Sequence, residues 1–130
     1  MAGRSLSSLM TGGLEPAAAK AVEIFSRDAR GAYGDSLLKI ILFGSRARGD
    51  AGPDSDVDLA IVLRSIQSRS AERNRLADIA YDAIVETSLG VQAIPISEDE
   101  WEHPDRHRNP DLIRAIRRDG VVVDSDPEQG

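Results

Sequence analysis

The stretch from Leu37 to Leu63 reads LLKIILF, then GSRARGDAGPDS, then DVDLAIVL. Its first block, Leu37–Phe43, is a nearly continuous apolar run, as a strand covered on both faces requires. Its last block, Asp56–Leu63, alternates acid with apolar residues and then turns wholly apolar, a second buried strand that begins at a wet end. Between them, Gly44–Pro53 is dense in Gly, Arg and Asp, which is loop chemistry. Two buried strands in succession set the centre of a sheet, and the rest of the chain is read outward from them.

Upstream, Ala18, Ala21, Val22, Phe25 and Ala29 recur at helical spacing behind Pro16, a residue suited to the first turn, and Gly31 and Gly34 end that helix. Downstream, Ser70 is placed to cap a long helix whose stripe is Leu76, Ile79, Ala80, Ala83 and Ile84, with Gly90 as its stop. Val91–Ile96 reads as a third strand, and Pro95 points to an edge or a bulge. Asn109 caps a last helix that starts at Pro110, faces inward through Leu112, Ile113 and Ile116, and closes at Gly120. Val121–Val123 adds a short edge strand. The order predicts an α/β (α+β) domain, a small sheet with helices against it. Residues 1–15 read as a flexible tail, 16–123 as one domain, and 124–130 as a second flexible tail.

Composition narrows the function classes. Sixteen Lys and Arg against 22 Asp and Glu leave a net charge of −6, which argues against a broad basic face for duplex nucleic acid. No cysteine is present, so disulfides, thiol nucleophiles and Cys-ligated zinc are excluded, and a reducing, cytoplasmic setting is the expectation. No apolar run approaches the ~18 residues of a membrane helix.

The chemistry lies in the central stretch. Asp56 and Asp58 are two apart on a strand, so both carboxylates point to one face while Val57 and Leu59 point to the other. Paired carboxylates repel unless a cation lies between them, and hard oxygen donors suit Mg²⁺. Gly44 and Ser45 follow a buried strand directly; glycine lets backbone approach a phosphate, and a hydroxyl with free N–H groups can grip anionic oxygens. Arg46 and Arg48 add cationic donors beside them. Either half alone is ordinary, but together they form what a nucleoside triphosphate with Mg²⁺ needs.

Gly44-Ser45, ten residues, then Asp56-x-Asp58 resembles the signature of the DNA polymerase β-like nucleotidyltransferase superfamily. The short chain and the string GSRARGD are similar to its minimal nucleotidyltransferase (MNT) branch. The resemblance implies a mixed β-sheet flanked by helices, the polymerase β-like palm. It also implies ATP or another NTP bound with Mg²⁺ (or Mn²⁺), Gly44 and Ser45 on the triphosphate, and Asp56 and Asp58 as metal ligands. The implied reaction is nucleotidyl transfer, AMP above all, to a hydroxyl with release of pyrophosphate. Implied partners are a small helical HEPN-type toxin RNase, neutralised by the modification, or a second copy of the chain.

One departure stands out. The family pattern carries a third carboxylate on a later strand, and here that strand, Val91–Ile96, offers only Gln92, aligned by its offset from Ser97 and Glu98-Asp99-Glu100. An amide cannot serve as a carboxylate base. Three readings stay open: a nucleotidyltransferase acting on a partner protein, a weakened or inactive nucleotide-binding module that neutralises a partner by binding, and a dimeric small-molecule adenylyltransferase. His103 and His107 are four apart, yet Pro104 between them breaks the helix that would pair them on a metal. Trp101 is read as core packing against the Leu112–Ile116 face.

Overall fold

The computed structural model describes residues 14–125 as a four-stranded mixed sheet with helices on both faces. In chain order the elements are α1 (Pro16–Tyr33), β1 (Leu37–Phe43), α2 (Ser45–Arg48), β2 (Val57–Leu63), α3 (Arg69–Thr87), β3 (Val91–Ser97), α4 (Glu98–Glu102), α5 (Pro110–Asp119) and β4 (Val121–Ser125). The strands lie in the order β3-β2-β1-β4. β1 runs antiparallel to both β2 and β4, whereas α3 is the crossover that brings β3 parallel to β2.

Alternation along β2 divides the core into two layers. Val57, Leu59, Ile61 and Leu63 face one cluster with Phe25 of α1 and Leu76 of α3, while Ala60 and Val62 face a second with Ile113 and Ile116 of α5. The helical stripe predicted for α1 is fully buried, and Trp101 packs at the margin of the second cluster. Because β1 and β2 are central they are apolar on both faces, and Pro95 is tolerated because β3 is an edge strand.

Several boundaries differ from the sequence reading. Gly31 lies inside α1, and Gly34, at φ +55°, closes it. Ser68 rather than Ser70 caps α3, its hydroxyl accepting the Ala71 N–H at 3.3 Å, and Ser88 in a left-handed conformation ends it before Gly90. Asn109 caps α5 as expected, accepting from Leu112 N–H. β4 continues through Asp124 to Ser125, with Asp124 ion-paired to Arg30 at 3.2 Å. Most of both expected tails lies outside the described residues, although Leu14 packs against the first cluster. Among the described residues no helix is long and apolar enough to cross a membrane.

Candidate active site

The β1–β2 pairing sets Phe43 opposite Asp58, so the chain leaves β1 directly beside that carboxylate. Gly44 takes φ +76°, and a Cβ at this position would overlap Asp58 Oδ2. Only glycine makes the turn and the close approach at once. The Gly44 carbonyl then accepts the Ala47 and Arg48 N–H groups, both at 3.1 Å, and starts the single turn of α2 with the half-buried Ser45 at its head.

Asp56, just ahead of β2, is exposed and Asp58 is half-buried, both on the face opposite the buried Val57. β3 completes the site from the other side. The Val57 N–H donates to the Gly90 carbonyl at 2.8 Å, and a Cβ on Gly90 would overlap Asp56 Oδ1. The parallel register then places Gln92 against Asp58, exposed and on the same face. Gly90 is a residue that sequence reasoning missed: read locally, it was only a helix stop.

Burial pushes the Asp58 carboxyl above the ordinary carboxylate range, the charge of Asp56 pushes it further, and Arg48 partly offsets both. Neither carboxylate receives a hydrogen bond or ion pair from another described residue. Two repelling, unpaired carboxylates on one face are the donor set that a hard divalent cation satisfies, so the residues present fit Mg²⁺. Among the described residues no third His, Cys, Asp or Glu joins them in a metal-binding group. Two protein ligands would leave most coordination positions to water and phosphate oxygens, as Mg²⁺ prefers.

The two arginines part company. Arg48 is exposed, rests against Asp50 at 3.3 Å, and contributes its charge to Asp58. Arg46 is turned inward, its side chain only 3% exposed. Its Nε and Nη2 donate to the Ser55 carbonyl at 3.0 and 2.7 Å, Nη2 reaches the Pro53 carbonyl at 3.5 Å, and Nη1 meets Glu15 Oε2 at 3.3 Å. Arg46 thus fastens the loop that delivers Asp56, and Glu15, assigned to the tail by sequence, is its counter-charge. His107 is buried with Nδ1 accepting the Asn109 N–H at 2.9 Å, and α4 ends at Glu102, so the two histidines share no helix face.

Residues 20–122 match the model of the nucleotidyltransferase domain family. MJ1305 of Methanocaldococcus jannaschii, by name a candidate protein adenylyltransferase, is 37% identical over 103 residues, covering 78% of this chain and 69% of its own. A crystal structure of a candidate nucleotidyltransferase from Sulfolobus solfataricus superposes with a TM-score of 0.54 at 25% identity, covering 96% of this chain and 89% of that one. A toxin–antitoxin structure with AMP-PNP shares the fold at a TM-score of 0.56 and 17% identity, covering 80% and 73%. With the family model matched over residues 20–122 and a relative 37% identical across 78% of this chain, the chain belongs to the nucleotidyltransferase domain family.

Proposed function

We propose that this nucleotidyltransferase binds ATP with Mg²⁺ at Asp56 and Asp58 and transfers AMP to a hydroxyl of a partner protein. The observation that carries the reading is the close approach of Gly44 to Asp58, which brings the candidate phosphate turn beside the candidate metal pair. Asp56 and Asp58 would hold the Mg²⁺, whose charge, when bound, stabilises the phosphate oxygens during transfer. Ser45 and the backbone of its turn grip the triphosphate, and Arg48 adds an exposed positive charge beside it. The acceptor oxygen bonds to the α-phosphorus as the bond to pyrophosphate breaks. With an amide at position 92, the hydroxyl proton passes to water.

The protein acceptor is supported by two likenesses: the relative named as a protein adenylyltransferase and the toxin–antitoxin structure with AMP-PNP. A HEPN-type partner encoded beside the chain is the acceptor that the sequence resemblance suggests. Incubation with Mg²⁺, ATP labelled on the α-phosphate, and the neighbouring gene product should label that product, and Asp56→Asn or Asp58→Asn should abolish the label. A stable complex with no label from the parent protein overturns transfer. Gln92 beside Asp58 favours that second reading, a binding module without efficient catalysis.

A further inference from the structure

Among the described residues the exposed large hydrophobics are Tyr81, Ile84 and Val85, at 65%, 36% and 59% exposure, and all three lie within five residues of α3. Such clustering marks an interaction surface, since isolated exposed apolar residues are scattered on ordinary surfaces. Tyr81 and Val85 border a groove of about 500 Å³ between α3 and α1. Its walls differ in sign: α1 supplies Lys20 and Arg27, and α3 supplies Asp82 and Glu86. Glu23 lies outside the groove lining, and Arg27, 71% exposed, also meets Asp28 at 3.2 Å, so the groove's positive wall is Lys20 together with a partly compensated Arg27. Neither Asp82 nor Glu86 is ion-paired to another described residue.

We infer that this face is the contact between two copies of the chain, related by a two-fold axis along the groove. That axis lays α1 of one copy over α3 of the other, so each cationic row meets an acidic row and the apolar residues meet at the centre. A surface that carries both signs in separate rows about an apolar middle is complementary to itself, the requirement for an isologous pair. The size is adequate. Helices of 18 and 19 residues are each ~27 Å long and ~10 Å across, so together they present a face of about 500 Å². Pairing would cover about 1,000 Å², the lower bound of a specific interface. α1 and α3 cover the sheet face opposite Asp56 and Asp58, so pairing leaves both sites open to an acceptor. The inference is therefore independent of the proposed reaction.

Charge exchange tests it. The parent protein, followed by sedimentation from micromolar to near-millimolar concentration, should be a monomer–dimer mixture. One variant carries Lys20→Glu and Arg27→Glu, and the other Asp82→Lys and Glu86→Lys. In self-pairs each variant sets like charges against each other between the groove-lining positions, so each should dimerise at least about tenfold more weakly than the parent. An equimolar mixture restores opposite charges at both contacts and should yield a one-to-one heterodimer. Unchanged circular dichroism and melting of each variant establish that both are folded. A parent protein that is monomeric throughout, variants that pair as the parent does, or a mixture no tighter than its components each overturn the inference. Loss of binding to a heterologous protein in Tyr81→Glu, with the parent monomeric, assigns the face to that protein instead.

Discussion

Replacing Arg46 by Met keeps aliphatic bulk in its buried channel and removes every guanidinium donor to the loop before Asp56. The Ser55 carbonyl loses two short bonds, at 3.0 and 2.7 Å, from a charged donor, and the Pro53 carbonyl loses a longer one. A charge-assisted bond of this kind contributes about 1.5–3 kcal/mol, and because both short bonds end on one oxygen they count as little more than one. Glu15 is 44% exposed, so its ion pair adds less than about 1 kcal/mol. The expected loss is about 2–3 kcal/mol, or roughly 6–12 °C in melting temperature for a domain of this size. Urea unfolding without nucleotide or metal measures it: the midpoint should fall with an unchanged slope. Arg46→Lys should recover only part, since a single ammonium cannot reproduce the guanidinium fork. A loop released in this way also loosens Asp56, so Mg²⁺-dependent ATP binding should weaken in the folded variant. If Arg46 instead served as a surface phosphate ligand, the nucleotide-free protein would lose less than about 0.5 kcal/mol. That result would refute the assignment of Arg46 as the fastening of this loop.

Other perturbations act on the carboxylates. The Asp58 carboxyl titrates above its unfolded value, so the folded chain holds more protons in the intervening window and stability falls as pH rises through it. Asp58→Asn should therefore raise the melting temperature in chelator at neutral pH, with the gain vanishing in acid, while it removes Mg²⁺-dependent labelling. Gly90→Ala places a methyl group on Asp56 Oδ1, and Mg²⁺-ATP affinity measured by calorimetry should drop at least about tenfold, the effect expected of displacing a metal-orienting contact. Gln92→Asp restores a third carboxylate beside Asp58, and single-turnover transfer should accelerate; an unchanged rate shows that position 92 does not reach the reacting atoms. Glu100 shows the opposite pH behaviour to Asp58. Burial alone would raise its carboxyl, but hydrogen bonds from Arg69 at 2.5 Å and from the Ser97 N–H outweigh that and hold it low. Its contribution is present at neutral pH and is lost as pH falls, so Glu100→Gln should flatten the acid limb of a stability profile.

The sequence by itself determined what depends on neighbours along the chain. Apolar run and alternation located β1 and β2, helical spacing located α1 and α3, and the spacing of Gly44-Ser45 from Asp56-x-Asp58 located the candidate site. Strand pairing had to be known before the rest could be read. Gly90 looked like a helix stop because its contact, Asp56, is 34 residues away and reached only through the parallel crossover of α3. The same pairing sets Gln92 against Asp58, a relation of register that a one-residue slip would turn to the other face. Arg46 read as a phosphate donor because an arginine after Gly-Ser is locally indistinguishable from one; the carbonyls of Pro53 and Ser55 and the carboxylate of Glu15 turn it inward. The groove of α1 and α3 likewise exists only once both helices lie on one sheet face. Periodicity is a local property and survives in the sequence, whereas which charge lies beside which carboxylate is fixed only when distant segments are packed together.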